Sequence, residues 1–318
     1  MKKILLLVLI AVFLLSACGG GEVEKAKILV LHAGSLSIPF KDMANAFMAK
    51  YPNVEVQLEA HGSRTAARQI SDLHRKAEVM GSADSAVIRN LLMPDHAGFC
   101  IDFTTNEMVL MYTEHSKAAG EINGDNWYEV LLRDEVQYGH SDPNADPCGY
   151  RAILTQKLAE IHYQQTGLYQ RLKDSMPAKN IRPKETDLIA MLEAGELDYI
   201  FIYRSVAEQH KAKYVVLPDE VNLKSADFKD LYGSVSVQIS GKKPGEFIEK
   251  KGAPMVYGIT LPKNAASPEW GARFIEFVLG AEGQAIMAKN GQPEIIPPRV
   301  DNAGALPENL KQFFEDKK

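Results

Sequence analysis

The chain holds 318 residues, with 36 lysines and arginines against 41 acidic residues, a formal charge of -5, 46% hydrophobic content and three cysteines. That balance excludes a collagenous, disordered, disulfide-stapled or multi-span membrane protein, and it removes the electrostatic drive for wrapping a nucleic-acid backbone, so no nucleic-acid partner is expected. The length exceeds what one hydrophobic core organises, and two lobes are expected.

Residues 1–17 read as an export signal. Met1-Lys2-Lys3 is a positive n-region, and Ile4 to Ala17 is an uncharged apolar run too short for a permanent membrane-spanning helix. The run ends in Leu15-Ser16-Ala17-Cys18, which resembles the bacterial lipobox: the signal peptidase cuts before the cysteine, and the thiol carries a diacylglycerol. Gly19-Gly20-Gly21 and the charged stretch that follows make residues 18–26 a lipidated Cys18 on a flexible tether. Two or three acyl chains hold a soluble body firmly at a membrane surface, whereas one binds marginally. The expectation is an extracytoplasmic lipoprotein anchored to the cell membrane. Cys100 and Cys148 remain, and both are expected to be unpaired because nothing else in the chain depends on a disulfide.

Strands and helices then alternate. Lys27–Leu31 (KILVL) predicts a buried strand, followed by His32-Ala33-Gly34-Ser35 and a helix marked at its start by Ser37 and Pro39, with a core stripe of Phe40, Met43, Phe47 and Tyr51. Val54–Leu58 alternates as a strand, and His61-Gly62-Ser63 leads into a helix through Thr65–Arg68. Val79-Met80 with Gly81-Ser82-Ala83-Asp84 predicts another strand-to-loop step, and Glu107–Thr113 a strand entering the second half. There, Val136–Tyr138 precedes the loop Ser141–Tyr150 and a long helix to Thr166; Lys184–Asp187 opens a helix that Gly195 ends; and Tyr199–Tyr203 (YIFIY) is an apolar strand of the buried parallel kind. Met255–Leu261 predicts a strand and Pro268–Gly280 a helix. The order implies two lobes of parallel sheet covered by helices.

Ligands of such sheets bind outside the carboxyl ends of the strands, where helix N-termini converge. Gly34-Ser35, Gly62-Ser63 and Pro147-Cys148-Gly149 each lie between a strand and a helix. A helix N-terminus carries the equivalent of roughly half a positive charge, so its free N–H groups bind oxyanions without lysine or arginine. Serine is also an ordinary N-cap, and it is the shared position after strands that singles these loops out.

The ordered motifs HAGSLS (His32–Ser37), GSRTAARQI (Gly62–Ile70), GSAD (Gly81–Asp84), TNEMVLMYT (Thr105–Thr113), SDPNADPCGYR (Ser141–Arg151), GELDYIFIYRSVAEQH (Gly195–His210) and GQPEIIPP (Gly291–Pro298) resemble the substrate-binding lipoproteins of ABC importers for molybdate and tungstate, in their archaeal-type tungstate-binding branch. The resemblance covers nearly all of the mature chain. It implies an α/β, type II periplasmic-binding-protein fold: two Rossmann-like lobes, residues 27–107 plus 218–318 and residues 108–217, joined by a two-strand hinge near 108 and 217. It also implies that tungstate or molybdate is held in the cleft by Gly34, Ser35, Ser63, Asp146, Pro147, Cys148, Glu185 and Tyr203. Asp146 and Glu185 would reach the molybdenum or tungsten centre itself, and the Tyr203 phenol would donate into the cleft. Permease subunits would be the partner, no cofactor is expected, and the protein would act as a monomer.

A carboxylate facing sulfate or phosphate meets like charge in a partly desolvated cleft, which is costly unless one partner is protonated. Molybdenum and tungsten differ, because their large electron-poor centres accept further oxygen donors. Asp146 also fits a cap on the helix near Gly149, and Glu185 a place at a helix N-terminus. Arg64, Arg151 and Arg204 adjoin proposed contacts, but surface salt bridges are expected for them. His32, His61 and His140 flank the same loops, so a ferric or divalent cation is an alternative ligand, as is a sulfate-like oxyanion. A secreted hydrolase is the weaker alternative: no GxSxG, HExxH, P-loop or paired-cysteine zinc signature is present, and no enzyme is expected.

Overall fold

A computed structural model describes residues 25–314; the export signal and Cys18 lie outside the described residues. Its strands are β1 (Ala26–Ala33), β2 (Val54–His61), β3 (Val79–Ser82), β4 (Ile101–Thr104), β5 (Met108–Tyr112), β6 (Tyr138–Ser141), β7 (Ile181–Arg182), β8 (Tyr199–Tyr203), β9 (Lys213–Val216), β10 (Ser236–Ser240), β11 (Phe247–Lys251), β12 (Tyr257–Thr260) and β13 (Glu294–Val300). They form a six-stranded sheet in the order β13-β4-β12-β3-β1-β2, a five-stranded sheet in the order β7-β6-β8-β5-β9, and the hairpin β10-β11.

The apolar patterns explain the placement. All five residues of β8 are buried, because it lies between β6 and β5 with both sheet faces covered. In the Ser37–Lys50 helix, Phe40, Met43 and Phe47 recur at helical spacing and are fully buried. Phe47 packs edge-on against Phe274 of the Pro268–Leu279 helix, ring centroids 5.3 Å apart. Trp127 fills the second sheet's core against Phe201, at 5.8 Å.

The expectation of all-parallel sheets is corrected. β1 is parallel to β2 and β3, and β6 to β7 and β8, but β12 runs antiparallel between β3 and β4, and β5 antiparallel between β8 and β9. The cause is the crossover between sheets. Only Thr105, Asn106 and Glu107 separate β4 of the first sheet from β5 of the second, so the chain enters the second sheet directly at the seam. β5 and β12 both start at the seam between the sheets and run away from it, whereas β1, β3, β6 and β8 run toward it.

The β10-β11 hairpin is an element that the sequence reading misses, and it touches both sides of the seam. The Ser240 N–H donates to Asn144 Oδ1 at 2.8 Å, and the Arg64 guanidinium donates to Ser240 O. Lys157 of the Pro147–His162 helix donates to Ser236 O at 2.5 Å.

Candidate ligand-binding site

The convergent strand ends bring all eight sequence-predicted site residues into one buried seam. Gly34 and Ser35 follow β1, Ser63 follows β2, and Asp146-Pro147-Cys148 follow β6 and open the Pro147–His162 helix. Glu185 follows β7, and Tyr203 ends β8. Across the seam, the N–H groups of Arg64 and Thr65 donate to Ala145 O at 3.0 and 3.2 Å. A Cβ on Gly62 would lie 2.5 Å from that same oxygen, so only glycine allows this approach. Two of the helix N–H groups expected to be free for an anion are thus engaged by the opposite loop.

Asp146 is the N-cap of the Pro147–His162 helix. Its Oδ1 accepts the Cys148 N–H at 3.0 Å and its Oδ2 the Glu185 N–H at 2.9 Å, so the capping role is real and also ties the two acidic residues together. Glu185 precedes the Asp187–Glu193 helix and turns inward rather than sitting in its first turn. It is 1% exposed, neither of its carboxyl oxygens has a hydrogen-bond partner, and a Cβ on Gly34 would lie 2.8 Å from Oε2. Burial, then the charge of Asp146, pushes the Glu185 carboxyl well above the usual carboxylate range. Burial also raises Asp146, against the lowering effect of its hydrogen bonds from Glu185 and Cys148.

The hydroxyls share one pattern. Ser63 Oγ accepts the Ala83 N–H at 3.0 Å, and Ser35 Oγ lies 3.0 Å from the Tyr257 hydroxyl. Tyr203 differs from the expectation of a simple donor: its oxygen accepts from Arg151 Nη1 at 3.0 Å, which leaves its own hydrogen to give.

Arg64 and Arg151 are corrections. Both are buried, not paired at the surface. Arg151 Nη1 also donates to Ala83 O at 2.7 Å, and its Nη2 lies 3.8 Å from Asp84. Asp84 collects Lys250 of β11 at 2.6 Å and the Tyr150 hydroxyl at 2.6 Å. Burial opposes its ionisation, but Lys250 and Arg151 hold its carboxyl well below the usual range. This cluster joins β3, the Pro147–His162 helix and the hairpin. Arg204 does match its expectation, with Glu107 at 3.0 Å and Glu208 at 2.8 Å, beside a cavity of about 400 Å³ at the crossover.

The nucleophile and cation alternatives find little support in this geometry. Cys100 and Cys148 are free and buried. Burial, then the charges of Asp146 and Glu185, raises the Cys148 thiol, the reverse of what an attacking thiolate needs. His32 Nδ1 lies 2.8 Å from Ala33 O and His140 Nδ1 2.7 Å from Ser141 O, so in each ring that nitrogen carries the hydrogen. Burial pushes His32 down to about 4 and lowers His140. Among the described residues, no group of three or more histidine, cysteine or acidic side chains is arranged to hold a metal ion.

Residues 28–292 match the family of bacterial extracellular solute-binding proteins. The chain belongs to that family. An uncharacterized solute-binding protein of Petrotoga mobilis is 53% identical over 96% of this chain and 95% of its own length. The molybdate/tungstate-binding protein WtpA of Pyrococcus abyssi is 41% identical over 96% of both chains. Among solved structures, the periplasmic molybdate-binding protein of Azotobacter vinelandii superposes with a TM-score of 0.58 at 17% identity, over 83% of this chain and 98% of the other. The sulfate-binding protein SubI of Mycobacterium tuberculosis superposes at 0.59 and 12%, over 86% and 88%. These likenesses establish the type II periplasmic-binding-protein fold, two Rossmann-like lobes joined by a two-strand hinge. Members are solute-binding proteins of the extracytoplasmic space, not enzymes. No helix among the described residues is long and apolar enough to cross a membrane.

Two predictions follow from the geometry of this solute-binding protein. A carboxyl whose pKa is raised by folding keeps its proton where the unfolded chain has lost it, so its stabilising contribution is full below the ordinary value of 4.5 and falls as pH rises toward the raised one. Glu185→Gln removes that loss. Without oxyanion, its unfolding free energy relative to the native protein, measured in urea, should climb as pH rises from 4.5, reaching a gain of about 1–3 kcal/mol; a pH-independent difference would contradict the assignment. Asp84→Asn leaves Arg151 and Lys250 without their counter-charge and should cost about 3–5 kcal/mol in urea unfolding.

Proposed function

We propose that this protein captures molybdate or tungstate between its lobes and delivers it to the permease subunits of an ABC importer. One observation carries the reading: Glu185 is a buried carboxyl, free of hydrogen-bond donors, packed against the Gly34 backbone and joined to Asp146. In its ionised form such a group is adverse to sulfate or phosphate, since like charges meet in a desolvated site. For a Lewis-acidic molybdenum or tungsten centre the same group is a ligand. The names of the Pyrococcus abyssi relative and of a second one in Thermococcus kodakarensis, 40% identical over 99% of this chain, support that choice.

In this mechanism the hydroxyls of Ser35, Ser63 and Tyr203 and the main chain at Gly34, Pro147 and Cys148 surround the oxo groups, and Asp146 and Glu185 reach the central atom. The lobes are residues 27–107 plus 218–318 and residues 108–217, hinged near 108 and 217, with the β10-β11 hairpin leaning on both. Lipid attachment at Cys18 after removal of residues 1–17 is supported by the Leu15–Cys18 tetrapeptide and would hold the monomer at the membrane. No cofactor is needed.

Titration calorimetry on the soluble form that begins after Cys18 tests the reading. Tungstate and molybdate should bind at least a hundredfold more tightly than sulfate, and a thousandfold excess over Kd should stabilise the fold by about 4 kcal/mol. Glu185→Ala should weaken tungstate at least tenfold while leaving sulfate unchanged or tighter. Equal binding of sulfate, or binding of a bare cation alone, would refute the proposal.

A further inference from the structure

A buried chain of polar groups runs from the crossover to Ser35. Asn106, in the three-residue crossover between β4 and β5, accepts the N–H groups of Glu107 at 3.0 Å and Ser205 at 3.4 Å on its Oδ1. Its Nδ2 donates to Ser205 Oγ at 2.7 Å and to the Tyr257 hydroxyl at 3.1 Å. The reverse amide orientation would set the NH₂ group against two backbone donors, so the direction is fixed.

The hydrogen count then runs one way. Tyr257 receives a hydrogen from Asn106, and Ser35 Oγ, 3.0 Å away, is its one other side-chain partner among the described residues, so donating its own O–H there leaves no buried phenol hydrogen unpaired. Ser35 Oγ receives in turn, and it has no further hydrogen-bond partner among the described residues. Its hydrogen is left over. Tyr257 is fully buried, and its ring meets that of Tyr203 at 6.0 Å.

We propose that Tyr257, set by Asn106, is a positioning residue that turns the Ser35 hydroxyl hydrogen toward the bound oxyanion. The inference rests on the ligand reading above and deepens it. Ser63 and Tyr203 are polarised in the same sense by Ala83 and Arg151. The wall built by Ser35, Ser63 and Tyr203 therefore presents hydrogens, and it favours an anion whose oxygens carry none.

The test is a double-mutant cycle in tungstate affinity, by calorimetry on the protein and on S35A, Y257F and S35A/Y257F. One oriented hydrogen bond to a charged group corresponds to about tenfold or more in Kd. Y257F and S35A should each weaken binding by about that factor, and the double variant should be no weaker than S35A alone. N106D would accept the Tyr257 hydrogen and reverse the chain, so its loss should be about tenfold larger with Ser35 present than in S35A; general charge repulsion would act equally in both. This second cycle decides the matter if Y257F does not fold. Losses that multiply, or Y257F binding within twofold of the native protein, overturn the inference and leave the ligand reading intact. A native protein that binds neither tungstate nor molybdate overturns both.

Discussion

An acidic side chain taken out of water without a hydrogen-bond donor is among the least favourable things a fold can contain, and the seam of this protein is built around one. The Glu185 carboxyl lies against the bare backbone of Gly34, next to a second acid that two main-chain N–H groups hold in place. Neighbouring choices follow from it. Glycine at position 34 leaves room for the carboxyl where it stands, because a Cβ there would lie 2.8 Å from Oε2 and push it aside. Asp146 must cap its helix, because the cap aims it at Glu185. A ligand that coordinates the carboxyl, as proposed above, would recover that cost.

Around this pair, the Ser63, Tyr203 and Ser35 hydroxyls each have a partner. Ala83, Arg151 and Tyr257 serve Ser63, Tyr203 and Ser35 respectively, and they come from β3 and its loop, from the Pro147–His162 helix and from β12. Asp84 fastens the same elements from outside through Arg151, Tyr150 and Lys250. Arg151 both donates to the Tyr203 hydroxyl and binds the Ala83 carbonyl across the seam. Tight packing makes such a seam behave as open or closed rather than as a continuum.

The local features were legible from the residues alone. The stripe of Phe40, Met43 and Phe47, the apolar run of β8 and the Gly-Ser loops after β1 and β2 all stand where periodicity and turn chemistry put them. The full site set came from family resemblance, and the residue pattern alone offers no way to bring Glu185 to Gly34. What stayed hidden is set by long-range approach. Arg151 reads as a surface residue because the acid that buries it, Asp84, is 67 positions away and on the other lobe. Tyr257 reads as core packing, since its partners Ser35 and Asn106 lie 222 and 151 positions away. Strand direction failed for a related reason: the three-residue crossover dictates antiparallel entry, and it shows only once both sheets are known.

X-ray absorption at the tungsten edge of the tungstate-loaded protein addresses the acid pair most directly. If Asp146 and Glu185 bind the central atom, the spectrum contains oxygen neighbours beyond the oxo shell and at longer distance, and Glu185→Gln diminishes them. A spectrum matching free four-coordinate tungstate, unchanged by that substitution, would contradict the account.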